Sequence, residues 1–227
     1  MTRLWWSLVR FGFRLLYNEL AFTYDWVSYV VSLGAWRCWQ RAALKHLTAE
    51  PGAMVLELAH GTGNLQLDLN AAGYYVVGHD LSASMGHITR RKLTRAGLPA
   101  RLTRGLAQQL PYSSGTFAAV ISTFPTNFIF EPATLREVNR ILQPDGQFLI
   151  VPNGAFQTGG MIEAGLEWLY QVTGQRDDPR FDLIEFFQRH GFAAEVVQEA
   201  CPRSIATVVK ARKIGLEIGK SHAIMRT

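Results

Sequence analysis

The stretch Val55-Leu56-Glu57-Leu58-Ala59-His60-Gly61-Thr62-Gly63-Asn64 joins a short apolar run, interrupted by one carboxylate, to a set of small residues and a residue suited to start a helix. Residues 55–58 have the character of a buried strand. Gly61 and Gly63 free the φ angles of the turn and remove the side chains that would hold a ligand off the backbone, and Asn64 is predicted to cap the helix that follows. A turn of this kind at a helix N-terminus is suited to cradle a nucleoside. Residues 75–80 read as a second strand ending in Asp80, and a carboxylate at that point is placed to accept hydrogen bonds from ribose hydroxyls. A dinucleotide fingerprint would need a third glycine three residues past Gly63. That position is Gln66, which argues against a pyrophosphate packed on the helix end.

The elements needed to hold these residues can be read along the chain. Residues 2–47 are predicted helical, followed by β at 53–58, α at 64–72, β at 74–79, α at 83–97, β at 100–104, β at 117–123, α at 132–142 and β at 147–151. Alternation of this sort implies an α/β fold, a Rossmann-like doubly wound parallel sheet with helices on both faces. Its ligand belongs at the carboxyl ends of the strands, at the switch point. An insert from Gly154 to Arg180 carries a candidate helix, Met161 to Val172, and a loop at 174–179. A helix from Phe181 to His190 and an antiparallel hairpin at 193–199 and 204–211 complete a sheet of seven strands. The chain divides into an N-terminal helical segment (1–47), one α/β domain (48–213) and a basic tail (214–227).

A chain of 227 residues with 48% hydrophobic content can bury a full core as one domain. The formal charge of +5 gathers partly at Arg90, Arg91, Lys92, Arg95, Arg101 and Arg104, read as solvated surface charge. No aromatic-interleaved basic ribbon marks a nucleic-acid partner. The six histidines show no pairing that suggests a metal. Cys38 and Cys201 lie far apart without metal spacing, so reduced thiols in the cytoplasm are expected.

Arg3, Ser7, Arg10, Arg14 and Asn18 form one narrow polar stripe on a helix whose remaining surface is nearly all Trp, Phe, Leu, Val and Tyr. That is the composition of an interfacial membrane anchor, which would place the protein at the inner face of the membrane through residues 1–18. The arginines interrupt every apolar run short of a membrane span. The residues leave two other readings open: a helix packed on the domain or a second subunit, and a lid over the site.

Several further motifs, taken in order, carry a resemblance. Ahead of the glycine turn stand Tyr24-Asp25, Ser32-Leu33-Gly34, then Arg37, Trp39 and Arg41; after it come Leu110-Pro111-Tyr112 through Phe117, Leu135-Arg136-Glu137-Val138, and Arg140-Ile141-Leu142-Gln143-Pro144-Asp145-Gly146. Over roughly residues 17–152 this pattern resembles class I S-adenosylmethionine-dependent methyltransferases, nearest to the quinone-ring C-methyltransferases of ubiquinone and menaquinone synthesis. The resemblance implies S-adenosyl-L-methionine as cofactor, with Glu57, Gly61, Thr62, Gly63, Asp80, Leu81, Leu106, Ala107 and Thr123 around it. It also implies a small apolar or lipid-like acceptor, either quinone-like or a phospholipid headgroup. Tyr24, expected over the methionine part of the cofactor, and His60 are the candidate bases. Two departures stand out. The polar residue that meets the adenine amine in the family is Leu106 here, leaving backbone or the Gln108 amide to substitute, and the acid opening the fourth strand is Ala118. The loop Thr123-Phe124-Pro125-Thr126 lacks the Asn-Pro-Pro-Tyr clamp of amino-group methylation. Two rivals remain: a non-catalytic relative serving as a membrane or assembly module, and a nucleotide-dependent oxidoreductase, which Gln66 disfavours.

Overall fold

Seven strands, six α-helices and two short 3-10 helices (Ala43–His46 and Asn127–Phe130) lie within residues 23–156 and 183–214, the part of the chain that the computed structural model describes. The strands are β1 (Met54–Leu58), β2 (Tyr75–Asp80), β3 (Leu102–Arg104), β4 (Phe117–Thr123), β5 (Leu142–Phe156), β6 (Phe192–Cys201) and β7 (Ser204–Lys213). They form one sheet in the order β3-β2-β1-β4-β5-β7-β6. Pairs among β1 to β5 are parallel, and β7 runs antiparallel between β5 and β6. The direction of winding reverses between β1 and β4, which opens a crevice at the carboxyl ends of the central strands.

The helices are α1 (Tyr24–Val31), α2 (Trp36–Ala42), α3 (Asn64–Ala71), α4 (Ala83–Arg95), α5 (Pro132–Ile141) and α6 (Leu183–Arg189). Side chains alternate across a strand, so the apolar central strands must be covered on both faces. Leu56, Leu58, Phe148 and Ile150 meet Leu135, Val138 and Ile141 of α5 and Phe187 of α6 on one side. Val55, Ile121, Leu149 and Val151 meet Trp39 and Ala42 of α2 and Leu65 and Leu69 of α3 on the other. Trp39 is fully buried, worth roughly 4–6 kcal/mol at about 25 cal/mol per Å². Its indole Nε1 donates to Ser204 Oγ at 3.0 Å, and its ring occupies the space a side chain on Gly154 would need.

The structure departs from the sequence reading at several points. Within the described residues the long N-terminal helix is broken: Leu33 and Gly34 have φ of 49° and 83°, and α2 starts afresh after them. Strand β5 does not stop at 151 but continues through Phe156, because residues 153–156 pair with 204–207 of β7. The register shifts between Ile150 and Asn153, around Pro152, which has no N–H to give the ladder. The expectation of two reduced thiols is overturned. The fold brings Cys38 of α2 to Cys201 at the end of β6, with Cα atoms 6.0 Å apart, and joins them in a disulfide. The predicted stripe at 1–18, the helix at 161–172, the loop at 174–179 and the tail beyond Ile214 lie outside the described residues.

Candidate active site

A cavity of about 570 Å³ opens at the carboxyl ends of β1, β2 and β4, within the usual size range of a small-molecule pocket. Its floor is the turn Leu58–Thr62, one wall is residues 79–82 with the loop 104–108, and the other is Thr123–Thr126 with Phe128. Tyr24, Trp36 and Gln40 reach it from α1 and α2. Of the residues singled out in the sequence, Tyr24, His60, Gly61, Thr62, Asp80, Leu81, Leu106, Ala107 and Thr123 line this space, whereas Glu57 and Gly63 lie behind its wall.

Asp80 ties the two turns of the floor together. Its Oδ2 accepts from the Gly61 N–H at 2.9 Å and its Oδ1 from the Ser82 N–H at 2.8 Å. Each carboxylate oxygen retains a lone pair for a ligand hydroxyl. Gly63 has φ of 76° and caps α3 in the left-handed region, and a Cβ there would overlap the Thr89 side chain. Glycine is therefore required twice over at this position, by conformation and by space. Asn64 does not cap α3 as predicted, because its amide is used elsewhere.

That other use is a latch. Asp25 Oδ1 accepts from Thr62 Oγ1 at 2.6 Å and from Asn64 Nδ2 at 2.9 Å, and its Oδ2 from Lys92 Nζ at 2.9 Å. Lys92, read from the sequence as solvated charge, also donates to Asn64 Oδ1 at 2.6 Å. The network pins the first turn of α1, and with it Tyr24, against the glycine turn. Burial pushes the Asp25 carboxyl up, but the bonds from Thr62, Lys92 and Asn64 outweigh it and hold the group below 3.8.

Trp36 stacks on Phe124 with ring centroids 3.9 Å apart, and Tyr24 meets Trp36 edge-on at 6.3 Å. Phe124 has φ of 51°, a conformation that side chains rarely adopt and that costs of order 1–3 kcal/mol. Its N–H donates to Val151 O at 2.7 Å, which holds the ring toward the cavity. At the opposite end Leu106 is exposed, and Gln108 donates through Nε2 to Glu131 Oε2 at 2.6 Å. The sequence reading passed over Trp36 and Gln40. Their four-residue spacing on α2, which puts them on one face, was the available signal.

Three buried titratable groups stand around the floor. Glu57 is fully enclosed; burial, reinforced by Asp80 and opposed by Gln66 and Arg37, pushes its carboxyl up to about 8, and its Oε2 has no hydrogen-bond partner among the described residues. Burial also lowers His60, whose Nδ1 lies 2.9 Å from Gly61 O and 3.2 Å from Thr89 Oγ1. His79 is lowered by burial too and pairs through Nδ1 with Thr103 Oγ1 at 2.9 Å. Burial thus favours the neutral form of both imidazoles. Among the described residues there is no cluster of metal-ligating side chains.

The model of the ubiE/COQ5 methyltransferase family matches residues 13–175. The chain is similar to a demethylmenaquinone methyltransferase of Thermus thermophilus, 36% identical over 149 residues that cover 62% of this chain and 68% of the relative. It is also similar to the ubiquinone/menaquinone biosynthesis C-methyltransferase UbiE of Geotalea uraniireducens, 30% identical over 142 residues covering 60% of each. The alignments therefore leave about a third or more of each relative unmatched. Among solved structures, a SAM-dependent methyltransferase from Aquifex aeolicus superposes with a TM-score of 0.60 over 77% of this chain and 89% of its own, at 16% identity, a likeness of fold.

Proposed function

Because the chain belongs to the ubiE/COQ5 methyltransferase family, we propose that it transfers a methyl group from S-adenosylmethionine to a quinone-like acceptor. The observation that carries this reading is a single cavity joining a polar floor, Asp80 and the turn 59–62, to an apolar end formed by Trp36, Phe124 and Phe128. The names of the relatives favour a quinone-like ring over a phospholipid headgroup.

The residues present fit the cofactor. Asp80 retains acceptor lone pairs for the ribose hydroxyls, Leu81, Leu106 and Ala107 make an apolar slot for a base, and the glycine turn admits close approach of the amino-acid end. The Leu106 side chain cannot meet the adenine amine. Gln108 can, because its Nε2 is taken by Glu131 and its Oε1 is left to accept. When bound, S-adenosylmethionine supplies a methyl group already activated by the sulfonium charge. The work left to the chain is alignment, worth roughly 7–11 kcal/mol when reacting groups are held at near-attack distance. In this reading Tyr24 and the Trp36–Phe124 stack orient the acceptor over the floor and exclude water, and Tyr24 and His60 are the candidates for taking a proton.

Asp80→Ala tests the cofactor site. Calorimetric affinity for S-adenosylhomocysteine is expected to fall by roughly 2–3 kcal/mol, the cost of leaving ribose hydroxyls unpaired; an unchanged affinity refutes the placement. Incubating the chain with a prenylated naphthoquinol and isotopically labelled methyl donor, followed by mass spectrometry, tests the acceptor class. No helix among the described residues is long and apolar enough to cross a membrane. Contact with the membrane surface through residues 1–18 is part of the same proposal, supported by the Arg-striped, Trp/Phe/Leu-rich sequence. Deleting residues 1–16 is expected to abolish co-sedimentation with anionic liposomes while leaving cofactor affinity intact, and failure of the intact chain to sediment removes this part.

A further inference from the structure

Two glutamines face the cavity, and their protein partners give them opposite polarity. Gln108 spends its nitrogen on Glu131. Gln40 spends its oxygen: Oε1 accepts from Arg37 Nη1 at 3.1 Å. Arg37 is itself fixed, donating through Nη2 to Asp68 Oδ2 at 2.6 Å, and Arg41 grips the same carboxylate at 3.1 and 2.9 Å. A guanidinium has donors and no acceptor, so the Gln40 amide cannot turn its nitrogen toward Arg37 without losing the bond. Its Nε2, with two N–H donors, has no partner among the described residues.

The place of those donors decides their use. Gln40 stands one turn beyond Trp36 on α2, and Trp36 stacks on Phe124. The donors therefore belong to the apolar end of the cavity, whereas Asp80 and Gln108 belong to the other. Gln40 is half-buried at the cavity wall, and a donor left there without a protein partner gains a bond from a ligand that brings an oxygen to it. On the methyltransferase reading above, we propose that Gln40 binds an oxygen of the methyl acceptor, a ring carbonyl or hydroxyl, and so selects an oxygenated ring over a plain hydrocarbon. Arg37 and Asp68 are positioning residues that set the direction of the amide.

Gln40→Glu isolates the claim, because the carboxylate still accepts from Arg37 and keeps α2 anchored, while both donors disappear and a negative charge faces the acceptor oxygen. Gln40→Leu removes the polar group altogether. The probes are S-adenosylhomocysteine alone and then 2-prenyl-1,4-naphthoquinone in its presence, each titrated calorimetrically. Both variants are expected to weaken naphthoquinone binding about 10- to 100-fold and to leave S-adenosylhomocysteine affinity within about twofold. Unchanged naphthoquinone affinity overturns the proposal, as does a loss confined to S-adenosylhomocysteine or a wild-type chain that binds S-adenosylhomocysteine but no naphthoquinone. A wild-type chain that does not bind S-adenosylhomocysteine overturns the methyltransferase reading itself.

Discussion

Replacing Glu57 with glutamine should stabilise the protein, and by an amount that depends on pH. The side chain is sealed beneath the glycine turn, one of its oxygens has no partner among the described residues, and burial raises its carboxyl from 4.5 to about 8. The folded chain holds this proton to about pH 8, whereas the unfolded chain releases it near 4.5. Between those limits the folded state binds more protons than the unfolded state, so stability falls as pH rises. The slope is about 1.4 kcal/mol per pH unit from this group, reaching about 5 kcal/mol over the whole interval. Glutamine has the same shape and no charge to desolvate. Urea unfolding followed by tryptophan fluorescence from pH 5 to 9 measures the difference. Wild type and Glu57→Gln are expected to be within about 1 kcal/mol of each other at pH 5 and to diverge steadily toward pH 8, with the variant the more stable. A constant gap across the range, or a variant less stable than wild type at pH 9, would refute the reasoning.

Further outcomes follow from the same geometry. Asp25→Ala frees Thr62, Asn64 and Lys92 together; because Asp25 is half exposed the effect is modest, about 1 kcal/mol, seen as an S-adenosylhomocysteine affinity about fivefold weaker by calorimetry. The contribution of Asp25 is present above pH 3.8 and lost as pH falls through its depressed value. Cys38→Ser opens a covalent loop spanning 163 residues, worth about 3–5 kcal/mol on a chain-entropy account. Its denaturant midpoint in oxidising buffer should match that of the wild type under dithiothreitol. Gly154→Ala drives a methyl group into the Trp39 ring and is expected to lower stability by about 1–3 kcal/mol, read by thermal unfolding; a neutral result would mean that α2 can shift without cost.

Much of the sheet was legible because its causes are local. Val55–Leu58 and Phe117–Val120 are apolar runs of strand length, and the glycines after β1 announce a turn that other residues reach only with strain. Asp80 could be placed because a strand end fixes where its last side chain stands. What the sequence could not reveal depends on distance in space. Cys38 and Cys201 carry no pairing signal until α2 docks on the far edge of the sheet. Lys92 looks like any surface lysine until Asp25 arrives beside it, and Asn64, apt for a cap by type, was recruited by the same carboxylate. Glu57 shows how a strand directs a side chain. Its sequence position suggested a ligand contact, but a side chain in the middle of a paired strand is directed by the pleat, and here the pleat turns it into the protein.

The attachment of α2 to the far edge also constrains the order of assembly. Cys38 to Cys201, Trp39 to Ser204 and Lys45 to Glu199 all join the helical segment to the last two strands, across 163, 165 and 154 residues. On a ribosome adding about 5–20 residues per second, Trp39 emerges on the order of 10–30 s before the serine that accepts its indole N–H hydrogen bond. For that interval the indole N–H lacks its serine partner, although the apolar residues of β1, β4 and β5 that pack on the ring have already emerged. The disulfide and the Lys45–Glu199 pair wait for the same strands, so the fastening of the segment that carries Trp36 and Gln40 to the cavity is completed only when the last hairpin has been made.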